Sequence, residues 1–473
     1  MYDNGLTAVV MSGGKGSRIT ELTTTCAKCL LPVANKPLIY YPLDALQKAN
    51  FTDVIVIVSD TEEEAVGKAL NELKLDIRID LVSIPYNRDF GTADSLRLIK
   101  DRIKNDILVI SCDTITDFPL KRLIDWYRIH NPTLLALISS IPYNNENVIP
   151  GRKGREKNEK DLIGIDANNG DRLVFLSSEA DFDESVSFSL SMLKKCPQMT
   201  IKSNLMDAHI YILKKWTLRY LQENSKISSL KGEFFPSLVR KQFRKEWTAT
   251  VDKTSKNAAS IISMSGVPHR HVFDFIETGD IELGLQRLEP NNASDELNVE
   301  SLKNQMPNSY PESKIKCFAY RLNDGYCVRV NTLSGYCEAN RLMLRLMSTS
   351  DRKPVKSQNS ITSKSLVDAI TGNGLTVGEK CSIKRSIIGN NCTIGDKVKL
   401  MNTIVMDNVK VEEGSNIQGS IICSQANIGT NSEIKDCIIA SAQNIHSLAK
   451  LTNEVILDVN QMMECDLSMT SYQ

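Results

Sequence analysis

The chain of 473 residues is long enough for about three domains and a large buried core, which excludes a short peptide or a single small binding module. Hydrophobic residues make up 41% and charged residues 24% of the chain, values of a folded globular protein and not of a disordered or fibrous one. Lysine plus arginine and aspartate plus glutamate number 57 each, so no net charge attracts the chain to nucleic acid or to an anionic membrane.

Apolar and amphipathic segments alternate along the first half of the chain. Nearly continuous apolar runs predict β-strands at Leu6 to Met11, Val54 to Ser59, Ile107 to Ser111 and Leu134 to Ile138. Segments with apolar residues three and four positions apart predict helices at Leu38 to Ala49, Glu62 to Leu73, Thr92 to Lys104 and Leu120 to His130. Apolar strands separated by helices are typical of a parallel sheet covered on both faces. We therefore predict a doubly wound, Rossmann-like α/β domain at residues 1–310.

The residues that follow have a weaker periodicity. Asparagine, serine, proline and charged residues accumulate from Asp252 to Ser313, which predicts a loosely structured end of the first domain. Ile315 to Val330 is strand-like, Leu342 to Met347 is helix-like, and Asp351 to Lys364 is polar again. We assign residues 311–365 to a connecting segment.

From Val377 onward an aliphatic residue recurs about every six positions, and glycine often follows it directly, as in Gly378 and Gly389. This period is the hexapeptide signature of a parallel β-helix, whose coils admit small residues at their corners. The step from Leu400 to Val411 departs from the period, and we interpret it as a bulged turn. The pattern predicts a left-handed parallel β-helix at residues 366–473, with ordinary antiparallel β-structure as the alternative.

The sequence contains no recognisable membrane or export segment. No apolar run reaches the length of about 18 residues that a membrane span needs, and the chain starts without a signal-like region. The 12 cysteines are scattered, and the close pair Cys26 and Cys29 has no second pair to complete a zinc site. We therefore expect reduced thiols in the cytosol. The basic stretch from Arg152 to Lys160 is interrupted by acidic residues, and we interpret it as a solvated loop.

The first predicted strand runs directly into a loop with the sequence SGGKGSR, residues 12–18. Its three glycines, Gly13, Gly14 and Gly16, let backbone N–H groups approach a phosphate closely, and Arg18 adds a cationic donor. The same residues also suit a tight strand-exit turn that binds no phosphate. The loop by itself does not decide between these two interpretations.

The longer segment from Ala8 to Pro37 resembles the opening signature of the sugar-nucleotide pyrophosphorylases, which join a sugar 1-phosphate to a nucleoside triphosphate. Phe90 to Ser95, FGTADS, is similar to the family's base-contacting loop and places Gly91 and Thr92 there. Asp113, which ends a predicted strand, is similar to the aspartate that holds magnesium in this family. The resemblance implies a nucleotidyltransferase-like first domain.

The resemblance also implies how the phosphates would be handled. In the family, a loop arginine and a downstream lysine neutralise negative charge during in-line transfer, while magnesium bridges the phosphates. By position, Arg18 and Lys28 would take the two cationic roles, and Asp113 would hold the metal.

Departures from the family's pattern lie at the same points. Cys29 replaces a proline next to Lys28, Cys112 replaces the glycine before the aspartate, and His209 replaces a glycine that lets the sugar approach the strand. The residues Ser178 to Ala180 stand where an EKP motif would supply the lysine for the sugar phosphate. A lost lysine leaves a phosphate unpaired in a closed site, which is costly.

We therefore predict that the fold is retained, that no residue is catalytic and that no cofactor or metal is bound. A vestigial nucleotide and phosphate loop would comprise Gly13, Gly14, Gly16, Arg18, Lys28, Gly91 and Thr92. Asp113 would be the vestige of the metal site.

Further stretches across nearly the whole chain resemble a non-enzymatic branch of this superfamily, the gamma subunits of the guanine-nucleotide exchange factor for eukaryotic translation initiation factor 2. They are Leu205 to Lys215, Phe234 to Phe243, Gly335 to Arg341, Val411 to Ser420 and Ile434 to Ile439. The resemblance implies a cytosolic hetero-oligomer in which the chain pairs with an epsilon subunit, joins further subunits and contacts initiation factor 2. The helical domain that performs the exchange belongs to epsilon. No direct nucleic-acid or membrane partner is implied.

The sequence thus predicts a non-enzymatic scaffold and docking subunit that supports GDP/GTP exchange by an epsilon subunit. The alternative is an active sugar-nucleotide pyrophosphorylase, and the absence of a lysine after Glu179 argues against it. His269 and His271 have no nearby carboxylate or cysteine, and we interpret them as loop residues. Cys112 lies in a predicted core strand, and we expect a buried, unreactive thiol.

Overall fold

The computed structural model describes residues 5–86, 90–140, 149–151, 160–178, 186–243, 272–276, 314–350 and 366–457. The helices are α1 (Thr20–Thr23), α2 (Tyr40–Lys48), α3 (Glu63–Glu72), α4 (Thr92–Leu98), α5 (Leu120–His130), α6 (Leu190–Lys195), α7 (Trp216–Glu223), α8 (Phe235–Lys241) and α9 (Leu333–Ser350). Within the described part of the chain, no helix combines the length and the apolar character needed to cross a bilayer.

The strands of the first domain precede those of the β-helix along the chain. They are β1 (Leu6–Met11), β2 (Pro32–Val33), β3 (Lys36–Pro37), β4 (Asp53–Ser59), β5 (Arg78–Ile84), β6 (Asp106–Ser111), β7 (Thr114–Thr116), β8 (Leu134–Ser140), β9 (Asp161–Asp166), β10 (Arg172–Ser178), β11 (Thr200–Lys202), β12 (Leu205–Leu213), β13 (Cys317–Arg321) and β14 (Cys327–Arg329).

Ten of these strands form one mixed sheet in the order β11-β9-β10-β13-β8-β12-β6-β1-β4-β5. Strands β6, β1, β4 and β5 are parallel, with Ala8 beside Val54 on one side and Leu108 on the other. Strand β12 runs antiparallel to both β6 and β8. The predicted parallel sheet is confirmed for the four strands that lead to the glycine-rich loop. Beyond them the sheet is mixed: β8 keeps the same direction and pairs parallel with β13, whereas β12 and β10 run antiparallel to their neighbours. An apolar run that is buried on both faces carries no signal of its direction.

Alternating residues of the central strands fill two separate cores, one on each face of the sheet. Val9 packs on one face with Ile57 and Leu96, while Val10 packs on the other face with Leu108. This burial on both sides is the doubly wound architecture that the sequence predicts. It places the carboxyl ends of β1, β4 and β6 at one edge, where the loops that follow them meet.

Two helices differ in extent from their predicted bounds. The predicted helix from Thr92 to Lys104 ends at Leu98 and continues as a 3₁₀ turn at Lys100–Arg102. Helix α9 begins at Leu333, nine residues before the helix-like segment that was recognised from Leu342. Its first turns contain small and polar residues, so the helical spacing of apolar residues is hard to recognise there.

The predicted connecting segment supplies strands to the first domain. Strand β13 lies in the ten-stranded sheet between β8 and β10, and β14 pairs antiparallel with β7. The chain reverses between β13 and β14 at Gly325, whose φ of 94° favours glycine. The strand-like run from Ile315 to Val330 is therefore two strands, whose partners lie far away in sequence.

The second domain is a parallel β-helix with three sheets, and each of its short strands pairs with the strand one coil later. The strands are β15 (Leu366–Val367), β16 (Ile370–Thr371), β17 (Thr376–Val377), β18 (Ser382–Lys384), β19 (Ile387–Ile388), β20 (Thr393–Ile394), β21 (Lys399–Met401), β22 (Ile404–Val405), β23 (Lys410–Val411), β24 (Asn416–Gln418), β25 (Ile421–Ile422), β26 (Asn427–Ile428), β27 (Glu433–Lys435), β28 (Ile438–Ile439), β29 (Asn444–Ile445), β30 (Lys450–Thr452) and β31 (Val455–Ile456).

Each coil of the β-helix contains 17 residues, as in the stacking of Thr403 on Ser386 and of Cys437 on Ser420. The inward aliphatic residues are spaced by six, five and six positions, because Val405 stands between Leu400 and Val411. The bulged turn that we predicted at this step is therefore wrong. One side of every coil is simply one residue shorter than the other two.

The corners of the coils require a left-handed backbone conformation. Positive φ angles recur at intervals of 17 residues, for example at Asn391 and Asn408, and asparagine and glycine tolerate this conformation best. Corner chemistry thus keeps the stacking in register from coil to coil.

An outward-facing aliphatic row attaches the β-helix to the first domain. In the second sheet, each inward residue is preceded by an outward one, such as Ile421 before Ile422 and Ile438 before Ile439. Ile421 and Ile438 are 1% and 0% exposed because they pack in a shared core with Tyr336 of α9. A bond from Asn35 Nδ2 to the carbonyl oxygen of Ile388, 2.7 Å long, also joins the domains.

Candidate functional site

The glycine-rich loop lies at the carboxyl edge of the parallel strands. Strand β1 ends at Met11, and the backbone N–H of Ser12 donates to the carbonyl oxygen of Ile57 at 2.8 Å. Gly16 has a φ of 69°, and its carbonyl oxygen accepts from the N–H of Ile19 at the start of α1. The predicted strand-exit turn is therefore present, and Gly16 is the residue that turns it.

The two cations of this loop face outward. Lys15 Nζ lies 4.9 Å from the ring centroid of Tyr86, and Arg18 is exposed. Gly14 is exposed as well, whereas a Cβ added to Gly13 would lie 2.7 Å from Ile84 Cδ1. The three glycines therefore differ: Gly16 adopts a positive φ, Gly13 packs against Ile84, and Gly14 has free space around it.

Asp113 is the centre of a buried ion cluster. It follows strand β6 and is 1% exposed. Its Oδ2 accepts from Lys28 Nζ at 2.6 Å and from an Arg329 guanidinium nitrogen at 3.1 Å, while its Oδ1 accepts from Ser111 Oγ at 2.7 Å. Lys28 lies on a 3₁₀ turn, and Arg329 lies on β14, opposite Thr114 of β7. Three remote segments thus converge on one carboxylate.

The two cations keep Asp113 ionised. Burial acts to raise the pKa of its carboxyl group, but the positive charges of Arg329 and Lys28 outweigh burial and hold the pKa well below its usual range. A carboxylate that already meets two cations does not suit a divalent metal, which requires several oxygen ligands around it. Among the described residues, no group of three or more histidine, cysteine, aspartate or glutamate side chains is suited to a metal ion.

His209 lies beside this cluster in an irregular part of β12. The pairing of β12 with β8 shifts register between Asp207 and Tyr211, and His209 has a φ of 55°. Its backbone N–H donates to Asp207 Oδ1 at 2.8 Å, and its Nε2 is buried without a hydrogen-bond partner among the described residues. Burial and the neighbouring charges of Arg329 and Lys231 hold the pKa of the imidazole well below its usual value. The side chain is therefore neutral.

A second polar cluster continues from His209 along β12. Tyr211 donates its hydroxyl to Asp207 Oδ2 at 2.5 Å, and Lys231 pairs with Asp161 at 2.9 Å. Burial, together with the negative charge of Asp161, raises the pKa of Asp207. These buried groups satisfy one another within the domain.

The loop with the sequence FGTADS binds a neighbouring segment of the same chain. The N–H of Ala93 donates to the carbonyl oxygen of Ser228 at 2.8 Å, and Thr92 Oγ1 accepts from the N–H of Leu230 at 2.9 Å. A Cβ on Gly91 would lie 2.1 Å from the Ser228 oxygen, so only glycine allows this close approach. Gly91 and Thr92 thus have a packing role at this position.

The structure brings together Lys28 and Asp113 among the predicted residues. Gly91 donates its N–H to Asp94 instead, and Thr92 Oγ1 accepts from the N–H of Leu230. Sequence analysis missed Arg329, because its partner Asp113 is 216 positions away and an arginine in a short strand carries no motif. It also missed the pair formed by Lys231 and Asp161.

Some sequence predictions lie outside the described residues. These are Glu179 and Ala180 of the altered EKP motif, His269 and His271, and nearly all of the basic stretch from Arg152. The polar stretch from Asp351 to Lys364 and nearly all of Asp252 to Ser313 lie outside them as well. Cys112, by contrast, is 3% exposed, and burial raises the pKa of its thiol to about 12, as expected for an unreactive core cysteine. Each cysteine within the described ranges is a free thiol.

Comparison with known families separates the two domains. Residues 7–147 match the Nucleotidyl transferase family, and residues 353–451 match the EIF2B subunit epsilon LbH domain, a left-handed β-helix. The first match covers the glycine-rich loop and Asp113. The second covers most of the described coils.

Comparison with curated proteins finds translation factors and enzymes. The chain is 34% identical to translation initiation factor eIF2B subunit gamma of Schizosaccharomyces pombe over 50% of its own length and 52% of that relative, so the match spans about half of the relative. It is 26% identical to the Dictyostelium discoideum subunit of the same name over 78% of this chain and 83% of that protein. A glucose-1-phosphate thymidylyltransferase of Streptomyces griseus is 28% identical over 28% of this chain and 38% of the enzyme.

Proposed function

Because the chain belongs to the eIF2B gamma family of the nucleotidyltransferase superfamily, we propose that it is a non-enzymatic scaffold and docking subunit of an eIF2B complex. In this role it pairs with an epsilon subunit in the cytosol, contacts translation initiation factor 2 and supports the GDP/GTP exchange that epsilon performs. The observation that carries the proposal is the pairing of Asp113 with two cations of the same chain.

This pairing opposes nucleotidyl transfer in two ways. Transfer requires metal and cationic side chains that neutralise the phosphates as negative charge moves to the leaving pyrophosphate. Arg329 and Lys28 already neutralise Asp113, so the carboxylate is a poor metal ligand. Lys28 is itself held at 2.6 Å from that carboxylate and does not reach outward to a phosphate.

The packing of the two domains supports a scaffold role. Helix α9 and the outward aliphatic row of the β-helix share one apolar core with the first domain. Such a core fixes the relative orientation of two surfaces, and orientation raises the effective concentration of two partners that bind them. We expect the chain to hold its partners in a fixed relative orientation, while epsilon performs the exchange step.

The first test asks whether the chain is a nucleotidyltransferase. Purified protein with magnesium, nucleoside triphosphates and hexose 1-phosphates is expected to release no pyrophosphate above background. The same assay on Asp113→Asn provides the control. Turnover by the natural chain that Asp113→Asn abolishes would favour the enzymatic alternative, to which the Nucleotidyl transferase match also points.

The second test measures exchange directly, as release of fluorescent GDP from initiation factor 2. The chain alone is expected to leave the release rate unchanged, and the chain paired with epsilon is expected to exceed epsilon alone. Fast release by the isolated chain, or equal rates for epsilon and for the pair, would contradict the proposal.

A further inference from the structure

Strand β5 is one end of the ten-stranded sheet and pairs within it with β4 alone. The backbone N–H of Arg78 donates to the carbonyl oxygen of Thr52, and the carbonyl oxygen of Ile84 accepts from the N–H of Asp60. Alternate residues of a parallel strand bond to the same neighbour, so the even-numbered residues of β5 bond to β4. The N–H and C=O groups that face away from the sheet belong to Ile79, Leu81 and Ser83.

These outward groups make β5 an open edge. Within the part of the chain that the structure describes, they have no hydrogen-bond partner. Strand β5 has seven residues, whereas β11 at the opposite end of the sheet has three. Charged side chains often block such edges, but those of β5, Arg78 and Asp80, are held in ion pairs with Asp53 and Arg102. The backbone of β5 is therefore available to a further strand.

A groove with a volume of about 330 Å³ lies beside this edge, between β5 and α3. Its aliphatic lining residues are Leu70, Leu75, Ile77, Ile79 and Leu81. Ile79 and Leu81 thus contribute backbone groups to the edge and side chains to the groove. A strand added to β5 would point every second side chain toward that groove.

Gly67, in the middle of α3, keeps the groove open. Glycine is a poor helix former compared with alanine, and the packing around this position does not require it. An added Cβ would lie 3.8 Å from Leu81 Cδ2, which is an ordinary contact distance. A larger side chain would extend from α3 over the groove. The glycine is therefore explained if the space beside it receives a ligand.

We propose that the edge of β5 and this groove bind an extended segment of a partner protein, which adds a strand to the sheet. The backbone ladder supplies affinity, and aliphatic side chains at alternate positions of the segment fill the groove. Among the described residues that line the groove, Lys74 alone is charged, and it forms no ion pair with any other residue that the structure describes. The segment therefore also carries a carboxylate that meets Lys74. Strands β1 and β4 separate this edge from β6, which leads to Asp113.

Fluorescence anisotropy of a labelled eight-residue peptide, Glu-Thr-Val-Thr-Val-Thr-Val-Thr, with the full chain tests the proposal. We expect submillimolar binding, and hydrogen–deuterium exchange of residues 78–84 should slow when the peptide is bound. The control peptide carries two adjacent prolines at its centre, which interrupt the ladder on either edge of the peptide. It is expected to bind at least about tenfold more weakly.

Variants of the chain test the groove, the edge and the charge separately. Gly67→Leu fills the groove and should weaken binding by about tenfold or more, while leucine favours the helix; Ala65→Leu, at an exposed position of α3, is the control. Ser83→Pro removes an outward N–H without breaking a bond to β4 and should weaken binding similarly, whereas Ser83→Ala should not. The peptide with glutamine in place of glutamate should bind about two- to fivefold more weakly to the natural chain, and Lys74→Met should abolish this difference.

Absence of binding at millimolar peptide would overturn the proposal, as would binding that Gly67→Leu and Ser83→Pro leave unchanged. Gly67→Leu keeps the test decisive if Ser83→Pro folds poorly. Slow exchange of residues 78–84 in the chain without peptide would show that another part of the same chain covers the edge. A dimer of the natural chain that Gly67→Leu dissociates would assign the edge to a second copy. Either result would overturn the proposal, and a preference for glutamate that persists in Lys74→Met would overturn the role of Lys74.

Discussion

Asp113, Arg329 and Lys28 form a buried ion cluster beside the glycine-rich loop, with side-chain exposures of 2%, 11% and 13%. Removing one partner of a buried pair leaves an uncompensated charge, which costs about 3 to 5 kcal/mol. The depressed pKa of Asp113 means that its contribution to stability is present above the unfolded value near 4 and is lost as pH falls below that value.

We expect Arg329→Met to lower the free energy of unfolding by about 3 kcal/mol, because one of the two cations on the buried carboxylate is lost. The matched control is Arg321→Met on the neighbouring strand β13, whose pair with Asp171 is partly exposed. The control is expected to cost less than about 1 kcal/mol. Chemical denaturation measures both, and equal losses would contradict a special role for the cluster.

His209 makes stability depend on pH in a second window. Its pKa is lowered in the folded protein, so the unfolded chain takes up a proton below about pH 6.5 while the folded chain does not. Between pH 7.5 and 5.5 the free energy of unfolding should therefore fall by about 1.4 kcal/mol from this residue. His209→Asn, which tolerates the positive φ, should remove this part of the pH dependence. Chemical denaturation at pH 7.5 and 5.5 measures this change in the free energy of unfolding. His446→Asn, at an exposed histidine, is the control and should keep the full pH dependence. An equal pH dependence in the two variants would contradict the prediction.

At the scale of elements, the glycine-rich loop is a turn that depends on one glycine more than on the others. Gly16 has positive φ, and a Cβ there would lie 2.8 Å from Thr23 Cγ2 of α1. Gly14 has no atom within 4 Å of an added Cβ and has no positive φ. The expectation that any of the three glycines is needed for the strand exit is therefore too broad.

We expect Gly16→Val to lower the free energy of unfolding by about 2 kcal/mol, because valine resists this backbone conformation and collides with Thr23. Gly14→Val is the matched control and is expected to change it by less than about 0.5 kcal/mol. Thermal and chemical denaturation of both variants provide the measurement. If Gly14→Val is as damaging as Gly16→Val, the turn is not the reason for the glycines.

At the scale of the whole molecule, the outward aliphatic row of the β-helix determines how the two domains are joined. Ile421 faces the first domain and α9, whereas its neighbour Ile422 faces the inside of the coil. Residues on alternate sides of one short strand therefore build two different cores. A polar residue on the outward side should disturb docking and leave the coil intact.

We expect Ile421→Asp to separate the two domains, because it places an unpaired carboxylate in their shared core. Calorimetry of the variant should show two unfolding transitions, and the small-angle scattering radius should increase. Met401→Asp is the control, since Met401 is 40% exposed on a different sheet of the same domain. A single unchanged transition in Ile421→Asp would show that the domains are held together by other contacts.

The sequence alone determined the features that depend on local pattern. Strand β1 and helix α5 begin and end where periodicity predicts, and the β-helix follows from the recurrence of inward aliphatic residues. The glycine-rich loop and Lys28 belong to one continuous motif, and Asp113 is marked by its place at the end of a predicted strand. That these residues are the vestige of a nucleotide site stays a prediction. Pairs of adjacent aliphatic residues, such as Ile421 and Ile422, can also be read from the sequence. The sequence does not show that the outward residue of each pair packs against another domain.

Tertiary structure alone decided which residues neutralise one another. Lys28 and Asp113 are 85 positions apart, and Arg329 and Asp113 are 216 positions apart. Residues so far apart in sequence leave no local pattern that identifies them as partners. Arg329 reaches Asp113 because β14 pairs with β7, which directly follows Asp113 in the chain. The direction of β12 and the place of β13 in the sheet were hidden for the same reason. Local patterns specify elements, whereas the charges of the site are balanced only by packing between elements.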